Sequence, residues 1–225
     1  MSYFQFLGLL IFLFSFSHSF AFDLPKTSAY EWTQIDEKDG IKVYRSEVKG
    51  SDVVAFRGDT VIEADIARVV SALKDMKYKT EWMHELKNIR VVEQVSKNQH
   101  VEYYHSGTPW PLDDRDFLYS ARYQYYKKDR LFVLNMQSVE REDVPEVDGV
   151  VRGRLVDSNY FIRKGDKEGT THMRVEILAD PMGSIPKWIV NLFQKDWPIK
   201  TLTGLKKLME NPEFKTMDQV QQFFK

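Results

Sequence analysis

The last long segment of the chain limits its folding most. After Asp180-Pro181-Met182-Gly183, apolar residues recur at helical spacing: Ile185, Ile189, Leu192, Ile199, Leu202, Leu205 and Met209. A stripe that continuous must be buried against something else. Pro186 falls near the first turn, where its missing N–H costs nothing; Pro198 is expected to kink the helix, and Asn211-Pro212 to end it. Everything before this segment reads mainly with period two. Alternating runs at Tyr30–Gln34, Ile41–Val48, Val53–Ile62, Ile89–Val95, His100–Ser106, Asp116–Lys127, Leu131–Glu140, Val150–Arg163 and Thr170–Ala179 predict about nine strands. The short turns between most of them imply antiparallel pairing. Two short helices interrupt after the third strand, one carrying Ile66, Val69, Val70 and Leu73 on one face, the next stacking Tyr78, Trp82 and Leu86. Thr216 and Gln219 match a capping box for a short terminal helix. The compact solution is an α+β domain whose curved sheet wraps the long C-terminal helix. Such a sheet encloses more width than one helix fills, so a cavity lined by inward side chains is a natural by-product.

Composition narrows the function classes. The 225 residues hold 32 basic and 33 acidic side chains, for a net charge of −1, and 43% are apolar. That balance describes one folded domain, predicted here over residues 22–225, and gives no electrostatic reason to bind nucleic acid. The absence of cysteine removes disulfides, thiolate metal sites and cysteine nucleophiles.

Residues 1–22 carry no Lys, Arg, Asp or Glu, and Leu9–Phe14 is their densest apolar run. Ser19-Phe20-Ala21 then places small residues where a signal peptidase reads them, so residues 1–21 are expected to be a signal peptide cut after Ala21. Against this, no Lys or Arg precedes the apolar run. The alternative is an uncleaved anchor long enough for a hydrocarbon core of ~30 Å. Both place the domain outside the cytoplasm.

Within Asp116–Lys127, the residues Phe117, Tyr119, Ala121, Tyr123 and Tyr125 share one face, which is expected to look inward. In the next strand Phe132, Leu134 and Met136 alternate with Val133, Asn135 and Gln137, and periodicity does not choose between them. Met136 is a flexible filler suited to a variable guest. Catalytic signatures are sparse. His100 and His105 are an odd number apart and face opposite sides of one strand, His84-Glu85 lacks a second histidine four residues on, and neither a Gly-x-Ser-x-Gly elbow nor a phosphate loop is present. His100 and Glu102 share a strand face, read as a solvated cross-strand contact ahead of an orienting pair. No catalytic residue, metal or cofactor is predicted.

Three runs carry a family resemblance: the segment with Asp75 and Trp82; Gly107-Thr-Pro-Trp-Pro-Leu-Asp-Asp-Arg115-Asp116-Phe117; and Gly183-Ser-Ile-Pro186-Lys-Trp188-Ile-Val-Asn191. In this order the chain resembles a START (StAR-related lipid-transfer) domain over most of Tyr30–Glu210. The resemblance implies a helix-grip fold whose tunnel binds one lipid or other hydrophobic molecule, entered between the C-terminal helix and the loop Gly107–Asp114. It also implies a periplasmic address for an exported member. The chain departs from many relatives in leaving about nine residues before the first strand, too few for their long N-terminal helix, so the outer face of the sheet is expected to be bare or covered differently.

The expected ligand-binding residues are Trp82, Trp110, Arg115, Phe117, Tyr119, Tyr123 and Met136, then Trp188, Ile189, Asn191, Leu192, Ile199 and Leu202 on the final helix. Trp110, stiffened between two prolines, suits a bilayer interface or a cover over the ligand. Arg115 and Asp116 point to opposite faces, and a buried Arg115 needs a carboxylate or a lipid head group, the salt bridge being the leading reading. Arg152 and Arg154 are expected on the solvent face. The function expected is a non-enzymatic, monomeric carrier or sensor of a lipid or other hydrophobic molecule, touching membranes transiently and binding no nucleic acid. Burying ~400 Å² of hydrocarbon at ~25 cal/mol/Å² supplies roughly 10 kcal/mol before ordering costs. The alternatives are a cyclase- or hydratase-like enzyme using the same cavity and an interaction domain accepting a partner helix.

Overall fold

The computed structural model describes residues 30–224; within the long helix, the side chains of residues 187, 188 and 191–194 are outside the described set. The predicted signal peptide lies outside the described residues. Among them, no helix is long and apolar enough to cross a membrane.

Three strands open the fold, β1 (Thr33–Lys38), β2 (Ile41–Ser46) and β3 (Ala55–Ile62), followed by helices α1 (Ile66–Lys74) and α2 (Lys79–Trp82). Strands β4 (Leu86–Ser96), β5 (Gln99–Ser106), β6 (Asp114–Tyr126), β7 (Leu131–Ser138), β8 (Val150–Arg152), β9 (Arg154–Lys164) and β10 (Thr171–Asp180) come next. The chain ends in α3 (Lys187–Glu210), α4 (Asp218–Gln221) and a 3₁₀ turn, Gln222–Phe224. The sheet order is β1-β2-β3-β10-β9-β7-β6-β5-β4, antiparallel throughout, with the short β8 added parallel to β6. The ten strands thus match the expected sheet, except that Val150–Arg163 is two elements broken at Gly153.

The main core lies between the inner sheet face and the helices. Ile41, Val43, Ile62, Phe132, Ile162 and Val175 pack there with Val69, Leu73, Leu202 and Leu205. This resolves the ambiguity in β7, where Phe132 and Leu134 are buried in that core with Met136 packed against it. Two glycines let α3 come this close. A Cβ at Gly58 would lie 2.8 Å from Leu202 Cδ1 and 2.9 Å from Pro198 Cβ, and one at Gly204 would lie 2.4 Å from the Trp82 carbonyl oxygen. The helix runs unbroken through Pro198, whose ring sits on β3 at the position where a backbone hydrogen bond is lost.

Arg68 of α1 ties down the end of α3, donating to the carbonyls of Phe214 at 2.6 Å, Asn211 at 2.9 Å and Met209 at 3.2 Å. The predicted capping box is corrected. Met217, not Thr216, is the N-cap residue, and its N–H donates to Ser71 Oγ at 3.0 Å, so α1 rather than a local side chain fixes the start of α4. The outer sheet face is partly covered by the segment after β7, where Val139 and Val144 pack on Val101, Tyr103 and Leu118.

Candidate functional site

The inner face does not fill completely. Met136 on β7, Ser158 on β9 and Ile177 on β10 are direct cross-strand neighbours, and beside them a cavity opens toward α2 and α3. Met83, just after α2, and Trp197 on α3 border it on the helix side. Leu155, Val175 and Glu176 complete the sheet side, and the aromatic wall is Tyr104, Tyr119 and Tyr160. Its empty space is about 370 Å³ including the open mouth, so the enclosed part is smaller than that.

Below the cavity is a buried polar cluster. Glu102 accepts hydrogen bonds from Lys79 Nζ at 2.7 and 2.8 Å and from the Tyr119 hydroxyl at 2.6 Å, and its Oε1 lies 2.5 Å from His100 Nε2. Glu102 is fully buried, and Lys79 and His100 nearly so. Burial pushes the Glu102 carboxyl up, but the Lys79 charge and the three hydrogen-bonding neighbours outweigh it and hold the group at about 2. Burial raises the hydroxyls of Tyr119, Tyr123 and Tyr160, and it pushes Tyr104 up to about 12, so all four are neutral near pH 7. The reading of His100 and Glu102 as a solvated contact is therefore corrected: both face the interior with Tyr104, and α2 covers them by bringing Lys79.

Arg115 and Asp116 also differ from expectation. Asp116, fully buried on the outer face, pairs with Arg152 at 2.6 and 3.1 Å, so Arg152 does not simply decorate the solvent face. The break at Gly153 explains why alternation through Arg154 misled. Arg115 donates to three backbone carbonyls, Asp113, Pro181 (3.3 Å) and Met182 (3.5 Å), rather than to a carboxylate. It joins the β5–β6 loop to the segment entering α3.

The sequence-predicted residues fall into groups. Tyr119 and Met136 line the cavity. Phe117 packs on Tyr104 with ring centroids 5.8 Å apart, behind the aromatic wall. Tyr123 belongs to the core, its hydroxyl donating to the Leu73 carbonyl at 3.2 Å. Trp82 is buried with its indole N–H on the Ala72 carbonyl at 3.3 Å, and Leu202 packs on Gly58. Ile189 is half-buried, and Ile199 packs at the core edge. Trp110 is 92% exposed at the tip of its loop. The side chains of Trp188, Asn191 and Leu192 lie outside the described residues. Sequence reasoning missed the rest of the lining: Met83, Tyr104 and Trp197, and on β9 and β10 Leu155, Ser158, Tyr160, Val175, Glu176 and Ile177. For Ser158 and Tyr160 a signal existed, since they alternate with Asn159 and share a face with Ile162. Among the described residues, no group of three or more His, Asp or Glu could hold a metal ion.

Comparison with known proteins follows this geometry. The family model for the START domain matches residues 21–213. The chain belongs to the START family. START domains bind lipids and hydrophobic ligands. An uncharacterized protein of Pseudomonas aeruginosa is 31% identical over 183 residues, covering 81% of this chain and 88% of that protein. Phosphatidylcholine transfer protein of Mus musculus is 26% identical, with 85% and 90% covered. Among solved structures, a STAR-related lipid transfer protein fragment from Xanthomonas axonopodis superposes with a TM-score of 0.71 at 25% identity, covering 80% of this START domain and 99% of the fragment. Human StAR-related lipid transfer protein 5 gives 0.73 at 18% identity, with 86% and 88% covered, and that likeness speaks to the helix-grip fold alone.

Proposed function

We propose that this START domain is a non-enzymatic carrier or sensor that takes one hydrophobic molecule into the cavity between its sheet and α3, outside the cytoplasm. The observation that carries the reading is the cavity itself, bordered by Met83, Met136, Leu155 and Trp197, with Tyr104, Tyr119 and Tyr160 as its aromatic wall. Apolar walls give a hydrophobic guest its affinity. The lipid-transfer relatives support the same direction. The export element rests on residues 1–21.

General acid–base catalysis works best with a group whose protonation changes near the working pH. Glu102, the carboxylate below the cavity, is held ionised with its oxygens engaged by Lys79, His100 and Tyr119. That arrangement favours binding over turnover. Entry runs past the loop 107–113, whose exposed Trp110 and the neighbouring exposed Met182 suit brief contact with a bilayer interface. The domain works as a monomer.

Native mass spectrometry of protein purified without detergent tests the reading. A hydrophobic molecule bound one to one is the expected result. Protein that stays empty even after incubation with lipid vesicles contradicts it.

A further inference from the structure

One side chain closes the base of the loop that carries Trp110. Asp114, the first residue of β6, accepts the Thr108 N–H on Oδ1 at 3.1 Å, which joins the two ends of the loop. Its Oδ2 accepts Lys87 Nζ of β4 at 2.7 Å and lies 2.9 Å from His105 Nε2 of β5. The Lys87 hydrogen bond above all, with those of Thr108 and His105, outweighs partial burial and holds the carboxyl at about 2, so it is charged at neutral pH. One carboxylate therefore ties the loop to itself and to two strands, the sheet-edge strand β4 among them. Lys87 also lays its stem along the start of the loop, since a Cβ at Gly107 would lie 2.8 Å from Lys87 Cε. The Gly107 N–H completes this base by donating to the Glu85 carbonyl at 2.8 Å.

The other flank of the loop is held by a different kind of bond. Arg115 is buried and reaches the segment entering α3 through backbone carbonyls at 3.3 and 3.5 Å. Lys87, by contrast, is more than half exposed, and Asp114 and His105 are within reach of solvent. A single exposed ion pair contributes little, but three partners converging on one carboxylate act as a network. Ions in solution weaken such charge pairs and leave a buried bond to a carbonyl nearly untouched. The two ties are thereby distinguishable by salt.

Resting on the carrier reading above, we propose that Asp114 is a positioning residue of the entrance: with Lys87 and His105 it forms an electrostatic latch on the Trp110 loop. Release of the latch sets how fast a guest enters and leaves, not how tightly it is held. Asp114 is not among the residues bordering the cavity, so it acts on both rates alike.

The full-length protein carrying Asp114→Asn tests this. The amide has the same size, keeps an oxygen for the Thr108 N–H and removes the charge that holds Lys87. Because Lys87 is exposed, no buried charge is orphaned, and the melting temperature is expected to stay within a few degrees of wild type. Hydrogen exchange is compared at about 20 and about 500 mM salt, between which the Debye length falls from roughly 20 to roughly 4 Å. Relative to sheet amides, the wild-type loop amides of residues 107–113 are expected to exchange faster at high salt. In Asp114→Asn they are expected to exchange about five- to tenfold faster already at low salt, with no further salt effect. Lys87→Met, which keeps the stem, should lose the salt effect in the same way. Stopped-flow mixing with N-phenyl-1-naphthylamine, an uncharged hydrophobic fluorophore, reads the entrance. Association and dissociation are both expected to be about five- to tenfold faster in Asp114→Asn, with the dissociation constant within about twofold of wild type. Loop exchange that is unchanged in the variant, or salt-independent in the wild type, overturns the latch while the carrier reading stands. Faster loop exchange with unchanged fluorophore rates makes the cluster merely structural and overturns its role at the entrance. Faster dissociation alone, with affinity lost, places Asp114 in shaping the cavity and overturns the proposal too. A fluorophore that fails to bind the wild type contradicts the carrier reading and the entrance role with it, and the exchange data still decide the latch.

Discussion

Glu102 shows how much one side chain's surroundings decide. Its carboxyl sits at about 2, below the 4.5 of an ordinary glutamate, because Lys79 and two further hydrogen-bonding side chains favour the ionised form more than burial disfavours it. The unfolded chain therefore takes up a proton at higher pH than the folded one does. The stabilisation is complete above about pH 4.5 and is lost as pH falls toward 2, a difference of roughly 3 kcal/mol. Chemical denaturation between pH 6 and 3 is expected to show this loss in the wild type and a flatter profile in Glu102→Gln. At pH 7 that variant is expected to be less stable by about 3–5 kcal/mol, since it leaves Lys79 buried beside a neutral amide. Adding Lys79→Met should recover much of the loss. The residue scale was also the least legible in sequence. His100, Glu102 and Tyr104 visibly share a face, yet what buries them is α2, a helix of four residues whose docking no local pattern announces. Ser158 likewise reads as an ordinary strand serine until its unpaired hydroxyl is seen.

The elements themselves were largely readable, because period two and period 3.6 differ strongly over eight or more residues. The strands, α1 and α3 lie close to where alternation and the apolar stripe place them. The misreadings fall where tertiary contacts override local pattern: Gly153 interrupts a run that alternates well, and Ser71 of α1 supplies the capping that Thr216 was expected to give. Close approach between elements carries its own prediction. Gly204→Ala would drive a methyl into the Trp82 backbone oxygen, and a carbonyl held in α2 cannot step aside. The expected cost is about 1–3 kcal/mol, read as a melting temperature lower by several degrees. Arg115 couples two loops through three carbonyls, so Arg115→Ala is expected to speed hydrogen exchange in residues 107–113 and 181–183 while the sheet amides stay protected. If these loops form the entrance, a cysteine pair at Asp113 and Met182, in a chain with no native cysteine, should block ligand uptake when oxidised and restore it on reduction.

At the scale of the whole molecule, the order of elements was enough to imply a sheet curled about a helix and a space between them. The extent of that space was not legible. How far the C-terminal residues reach back over the sheet depends on Arg68 and on the rings of Phe214, Phe223 and Phe224, contacts between segments 91 or more residues apart in sequence. They shorten the interior and leave a compact cavity near Ser158 and Trp197. The most direct measurement is photo-cross-linking of a decanol analogue carrying a diazirine on its chain, followed by peptide mapping. Label on Met83, Met136, Ser158 or Trp197, competed away by unlabelled decanol, is the result predicted. Label confined to surface positions such as Val91, Val95 or Trp110, with no competition, would contradict an internal binding site.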